Sequence, residues 1–202
     1  GSESFANLRG GGAGRRSEEI SAVNTYQKEL ESAYDEWVDE WGDEIAEAPA
    51  EEQDSVIEEA TLALILLLTN VGRKRIPQAV ELGLDGKPLS PATATRLAAT
   101  LTNNETRLRE SLAPDLQRKL KDALSDEDVL EAIAAGAGGK AVGGIMQTLA
   151  GRVATGAGLF WAVLNQTRGD VAKEANIKIY WRWDEAAHHC SDCLEFGNKT
   201  YD

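Results

Sequence analysis

Both cysteines and both histidines of the chain lie within six consecutive residues near its C-terminal end: His188, His189, Cys190 and Cys193. A Cys-x-x-Cys spacing lets two thiolates reach one metal ion or form a tight disulfide, because both side chains leave the same turn. With a histidine as third ligand and Asp184 or Asp192 as fourth, the pattern predicts a structural zinc site. A disulfide and two ordinary packed cysteines remain open alternatives. A catalytic Cys–His pair is disfavoured, since neighbours on a short loop rarely hold that geometry.

The elements on either side of this loop are predicted to be β-strands. Residues 177–183 alternate, with β-branched and aromatic side chains on one side, which is typical of a half-buried strand. Asp184 ends that alternation, and Gly197-Asn198 is a turn signal before residues 199–201. A hairpin therefore positions the cysteines and histidines in its long loop, and we expect the native chain to continue past Asp202.

This C-terminal pattern resembles the core motif of the phage Mu F-like, or head morphogenesis, family of phage minor head proteins. The shared features are an aromatic-led strand, an aspartate, Cys-x-x-Cys, a leucine and a glycine before a short strand. The matching positions are Trp183, Asp184, Cys190, Asp192, Cys193, Leu194 and Gly197. The resemblance covers residues 160–202.

The resemblance implies a structural protein of the tailed-phage head, located in the virion near the portal and in the host cytoplasm during assembly. Its implied partners are the portal protein and the major capsid or scaffold protein, with several copies in the assembly and a role in DNA packaging or delivery. A metal- or redox-dependent cysteine module of an incomplete enzyme is one alternative, and a non-viral helical adaptor protein is another. No catalytic residue is predicted, because neither His-Glu-x-x-His nor Gly-x-Ser-x-Gly occurs.

The remainder of the chain is predicted to be helical. The expected fold class is mainly α: an elongated or antiparallel helical bundle, followed by the small α+β hairpin module with its Cys-x-x-Cys loop. We divide the chain into a flexible arm (1–16), a helical body (17–135), a Gly/Ala-rich segment (136–158) and the helix-plus-hairpin module (159–202). In the Gly-rich arm, Arg9, Arg15 and Arg16 either contact a partner or nucleic acid, or belong to an uninvolved tail.

The first predicted helix begins at Ser17 as its N-cap and carries one apolar stripe. The stripe consists of Ile20, Val23, Leu30, Tyr34, Trp37, Trp41 and Ile45. Tyr34, Trp37 and Trp41 are its bulkiest residues. Core packing is the default explanation for them, and an interface with a partner is the sharper one.

Four further helices are predicted. The first runs from 51 to 75, and the second begins at Pro91, with Ser90 as its N-cap. The third contains Leu116, Leu120 and Leu124, and the fourth begins after Ser125. Residues 62–68 are apolar all round, so the second helix is expected to be buried centrally. This seven-residue run is much shorter than the roughly 20 residues that span a bilayer. We therefore expect no transmembrane segment.

Negative charge is concentrated in residues 17–60, which contain sixteen Asp and Glu residues and a single Lys. Such a surface repels phosphate, so direct binding of duplex DNA should be weak or absent. It is either a solvated helix face or a docking surface for a basic protein.

The Gly/Ala-rich segment is unusual because glycine costs a helix up to about 1 kcal/mol per position relative to alanine. Close helix packing at Gly143, Gly144, Gly151 and Gly156–Gly158 is the favoured explanation. A conformational switch and a plain linker are the alternatives.

Overall fold

The computed structural model describes residues 12–176, with side chains from residue 17 onward, and this part of the chain is helical. The predicted mainly α class is confirmed. The predicted hairpin lies outside the described residues. The helices are α1 (Gly12–Glu47), α2 (Gln53–Leu84), α3 (Pro91–Arg107), α4 (Ala113–Ala123), α5 (Glu127–Ala134), α6 (Gly138–Gln147), α7 (Ala150–Ala154) and α8 (Gly158–Glu174).

Helix α1 is longer than its sequence pattern predicts. It begins at Gly12, so residues 12–16 belong to the helix rather than to a flexible arm, and Ser17 is internal rather than an N-cap. Its 36 residues span about 54 Å at 1.5 Å per residue. The helix ends at Glu47, and the carbonyl oxygen of Pro49 then accepts hydrogen bonds from the amides of Glu52 (2.8 Å) and Gln53 (3.0 Å). This turn leads directly into α2.

Helix α2 continues past its predicted end at residue 75, through the internal Pro77, to Leu84. It stops where Asp85 adopts a left-handed conformation with φ of 54°. Its apolar centre is not buried on every side: Leu62 is 48 % and Leu66 60 % exposed, whereas Leu64 is fully buried. The expectation of burial on every side is therefore wrong, because one face of α2 is turned to solvent, whereas its central position is confirmed by contacts with α1, α3, α4 and α8.

A π-helical turn, Leu108–Leu112, joins α3 to α4. Pro114 lies in the first turn of α4, directly after this π-helical turn. The predicted cap at Ser90 is confirmed, since its hydroxyl accepts a hydrogen bond from the Thr93 amide at 3.2 Å. The N-cap of α5 is Asp126 rather than Ser125.

The core forms where α1 packs on α2 and α6, and α2 packs on α8. Large buried side chains of α1, such as Tyr26 and Trp37, meet leucine and isoleucine side chains of α2 and Phe160 of α8. Ile20, which belongs to the predicted apolar stripe of α1, is 43 % exposed. Ile20 therefore lies outside this core, although Glu19 and Ala22 beside it are buried.

Close packing at glycines is present, but mostly at other positions than predicted. A Cβ atom on Gly42 would lie 3.1 Å from the carbonyl oxygen of Gly139, and one on Gly138 would lie 2.9 Å from the Cβ of Ala46. These contacts hold α1 against α6. Of the predicted positions, a Cβ atom on Gly144, Gly151 or Gly158 would meet no described residue within 4 Å, so packing against this part of the chain does not need their small size.

Helix α2 also meets the length and composition of a membrane span. The mean hydropathy of its most apolar 18-residue window is 1.5, and 44 % of that window is buried inside the bundle. A core helix of a helical bundle satisfies the same criteria, so this observation identifies no membrane segment.

Candidate functional site

Two of the three aromatic residues considered as a partner interface lie in the core. Tyr34 and Trp37 are each 1 % exposed, and their ring centroids lie 5.5 Å apart. The Tyr34 hydroxyl donates to the Met146 carbonyl oxygen, and the Trp37 indole donates to the Ala60 carbonyl oxygen at 2.7 Å. Burial raises the pKa of Tyr34 well above its usual range. Intramolecular packing explains these two residues, and only the partly buried Trp41 retains accessible surface.

The predicted basic arm is described only in part. Arg15 and Arg16 lie within α1, but their side chains, together with all of Arg9, lie outside the described residues. Their suggested contact with a partner or with nucleic acid stays a prediction.

The cysteine module also lies outside the described residues. This applies to the expected zinc ligands and to every motif position: Trp183, Asp184, His188, His189, Cys190, Asp192, Cys193 and Gly197. Within residues 12–176, no cluster of three or more His, Cys, Asp or Glu side chains could hold a metal ion. The zinc site stays a prediction.

The described part of the chain presents a strongly acidic surface around the turn between α1 and α2. We call this surface the acidic face. It consists of the exposed carboxylates between residues 35 and 59: Asp35, Glu36, Asp39, Glu40, Asp43, Glu44, Glu47, Glu51, Glu52, Asp54, Glu58 and Glu59. Between these positions the sequence contains no lysine or arginine.

Two acids in the first half of α1, Glu19 and Glu29, are by contrast paired with cations. The buried Glu19 forms an ion pair with Arg168 of α8. Glu29 accepts hydrogen bonds from Arg75 and, at 3.1 Å, from Lys74 of α2. The hydrogen bond from Arg75 lowers the pKa of Glu29 to about 2. The negative charges of Glu19 and Glu29 are therefore neutralised within the molecule.

Internal neutralisation is nearly lacking on the acidic face. Among the described residues its single ion pair joins Asp54 to Lys121 at 2.8 Å, and Asp35 accepts a hydrogen bond from Gln147 at 3.0 Å. Glu44 and Glu47 lie in the last turn of α1, where the helix dipole disfavours negative charge by about 0.3–1 kcal/mol per residue. The acidic face therefore costs the free molecule stability through self-repulsion and through the dipole.

Chemically, this arrangement can accept hydrogen bonds and ion pairs from several lysine or arginine side chains at once. It repels phosphate groups, and the charge pattern of the sequence already indicated both properties. No sequence pattern indicated a second polar site, a cleft between α1, α3 and α7 that contains Tyr26, Arg107 and Arg152. Those residues come from three distant segments, which only the tertiary fold brings together.

In comparisons with protein-family models, curated proteins and solved structures, no family model, protein or structure matches this chain.

Proposed function

We propose that this chain is a structural interaction protein whose acidic face docks on a basic surface of a larger protein assembly. The observation that carries the proposal is the concentration of largely unneutralised carboxylates around the α1–α2 turn, whereas Glu19 and Glu29 in the first half of α1 are paired internally. Repulsion among these carboxylates lowers the stability of the free chain. Their clustering is explained physically if a basic partner neutralises them.

A basic protein surface fits the acidic face better than other classes of partner. Ion pairs formed across an interface remove the self-repulsion among the carboxylates, and complementary charge accelerates association. Nucleic acid is disfavoured, because its phosphates carry the same sign of charge as the acidic face.

The assembly that we propose is the head of a tailed phage. The support is the resemblance of residues 160–202 to the minor head proteins of the head morphogenesis family. The partner is then a portal, major capsid or scaffold subunit, and several copies of the chain enter one head. The chain resides in the host cytoplasm during assembly and in the virion near the portal afterwards, where it supports packaging or delivery of DNA.

The proposed docking is tested by measuring binding of the purified chain to portal, capsid and scaffold subunits at low and high salt. The test variant carries Asp39→Asn, Glu40→Gln, Glu44→Gln and Glu47→Gln. We expect its affinity for the partner to fall by at least about tenfold, and binding of the wild type to weaken steeply with salt.

A matched control removes the same number of exposed carboxylates elsewhere, through Glu81→Gln, Glu110→Gln, Asp122→Asn and Glu131→Gln. Its affinity should stay within about threefold of wild type, because only long-range charge changes. Equal losses in both variants, or binding that does not respond to salt, would contradict docking through the acidic face. Failure to bind any head subunit would contradict the phage assignment.

We also propose that Cys190 and Cys193, with His188 or His189, bind one structural zinc ion. Thiolate and imidazole ligands at this spacing are those that zinc prefers. Metal analysis of the purified chain should give about one zinc per chain, with thiols that react only after chelation. A zinc content below about 0.1 equivalent per chain, with freely reacting thiols, would exclude the zinc site. Unreactive thiols without zinc would instead indicate the disulfide.

A further inference from the structure

A cleft of about 120 Å³ opens beside the π-helical turn, at the junction of α1, α3 and α7. Its floor is apolar, and its polar lining comes from Tyr26, Asn104, Arg107, Ser111 and Arg152. The volume exceeds what one ordered water molecule requires. The cleft is separate from the acidic face, and its lining is cationic in a protein whose net charge is −13.

The Tyr26 hydroxyl is one of the neutral hydrogen-bond donors of the cleft. The side chain is 1 % exposed and lines the cleft, and the hydroxyl makes no hydrogen bond to any residue that the structure describes. The Tyr26 hydroxyl oxygen and the Asn104 Nδ2 atom lie 3.6 Å and 3.4 Å from the position a Cβ atom would take on Gly72, so both groups approach the same point on α2. Both can donate a hydrogen bond to a ligand in the cleft.

The protonation of Tyr26 fits a donor role. Burial raises the pKa of its phenol to about 12, although the positive charge of Arg107 opposes this shift. The hydroxyl therefore keeps its proton throughout the physiological range and can donate it to an acceptor.

Arg107 supplies the second unusual feature, an arginine with no carboxylate partner among the described residues. The nearby Glu105 forms its ion pair with Arg109, at 3.0 Å, and not with Arg107. Arg152, on the other wall, pairs with Asp115 and donates to the Ser111 hydroxyl at 3.2 Å.

Asp115 does not neutralise the cleft, since it also pairs with Arg118. Arg118 and Arg152 therefore share one aspartate, and Arg107 stays without a carboxylate partner among the described residues. Glu110 lies beyond Ser111, along a neighbouring surface depression, and does not line the cleft.

The π-helical turn explains how these groups come together. The amide of Ala113 bonds to the carbonyl oxygen of Leu108, which places one more residue in this turn than an α-helix has. One additional residue rotates everything that follows by about 100°. Arg107 directly precedes this turn, Ser111 lies within it, and both residues line the cleft. Turns of this kind occur frequently at functional sites.

We propose that the cleft binds a small oxyanion of the phosphate class. Arg107 and Arg152 supply positive charge, and Tyr26, Asn104 and Ser111 supply neutral hydrogen-bond donors. A phosphate group offers several acceptor oxygens in different directions, which matches donors that come from three helices. The net negative charge of the protein favours a small free ion or phosphate monoester over a nucleic-acid backbone.

The test titrates the full chain with inorganic phosphate and with phenyl phosphate by calorimetry, against sodium chloride of equal ionic strength. We expect saturable binding of at least one phosphate probe. Arg107→Gln should weaken it by about tenfold or more, because a charge-assisted hydrogen bond is lost. Tyr26→Phe keeps the buried ring and should weaken it several-fold.

Arg109→Gln is the matched control, since it removes a neighbouring arginine that points to Glu105, and affinity should stay within about twofold. Circular dichroism confirms that each variant remains helical. Heat of binding that does not saturate by about 10 mM phosphate, or equal losses in Arg107→Gln and Arg109→Gln, would overturn the proposal. A short single-stranded oligonucleotide that binds more tightly than phosphate would overturn the small-ion assignment.

Discussion

Gly83 of α2 lies directly against Thr167 of α8: a Cβ atom added to Gly83 would come within 2.7 Å of the Cβ of Thr167 and 3.0 Å of the Leu164 carbonyl oxygen. Both neighbouring atoms are held by the α8 backbone and cannot rotate away. The glycine therefore sets how closely the two helices approach.

Gly83→Ala should destabilise the fold by about 1–3 kcal/mol in urea unfolding, because α8 must shift to accept the methyl group. Gly144→Ala is the control, since a Cβ there meets nothing within 4 Å. That substitution should stabilise the fold by up to about 1 kcal/mol through helix propensity. A stabilised Gly83→Ala variant would show that the α2–α8 contact is looser than described.

The hydrogen bond from the Trp37 indole to Ala60 is the basis of a second prediction. Trp37→Phe removes this buried bond and part of the ring, and should lower the free energy of unfolding by about 1–3 kcal/mol. Trp41→Phe should cost less, because Trp41 is only partly buried and makes no side-chain hydrogen bond to a described residue. Comparable losses from the two substitutions would contradict a structural role for the Trp37–Ala60 bond.

A third prediction concerns acid stability. The pKa of Glu29 is lowered from its ordinary value of 4.5 to about 2, so the ionised carboxylate stabilises the fold above about pH 4.5. That contribution is lost as the pH falls towards 2. Glu29→Gln should therefore destabilise the fold by about 1 kcal/mol at pH 7, and the difference from wild type should shrink between pH 4.5 and 2.

Urea unfolding at several pH values measures this difference. Glu31→Gln is the control, because Glu31 accepts a hydrogen bond from Gln27 rather than from a cation. A Glu29→Gln difference that stays constant as the pH falls would exclude the ion pair with Arg75 as its origin.

The fourth prediction concerns α3, in which Thr93 is the one fully buried residue. Arg96 of α3 forms an ion pair with Asp170 of α8, and the Asp170 side chain is only 18 % exposed. Asp170→Asn weakens this link, so amide hydrogen exchange in α3 should accelerate several-fold, whereas α1 should change little. Asp122→Asn disrupts a longer, fully exposed pair with Arg118 at 3.9 Å and should leave exchange in α3 unchanged.

Much of the helical architecture was predictable, because long amphipathic segments and caps leave local signals. The Ser90 cap and the buried Leu116 and Leu120 follow directly from residue spacing. The exposure of Leu62 and Leu66 could not be predicted in this way. The periodicity of a sequence shows which residues are apolar, but it does not show which neighbours cover them. The same limit applies to Gly42 and Gly139, whose contact is non-local.

Of the two candidate sites, the sequence indicated one and not the other. The acidic face was visible as a cluster of carboxylates in the sequence, because all of its residues lie between residues 35 and 59. The cleft beside the π-helical turn could not be anticipated, because Tyr26, Arg107 and Arg152 are far apart in sequence and nothing in their spacing indicates a turn with one additional residue.

The internal pairing of Glu19 and Glu29, set against the largely unpaired acids around the α1–α2 turn, concentrates the negative charge of residues 17–60 at one end of α1. A positively charged surface therefore orients the protein before contact, with the α1–α2 turn leading. Arg168 of α8 pairs with Glu19, so this part of α8 lies near the end of α1 that is opposite the α1–α2 turn.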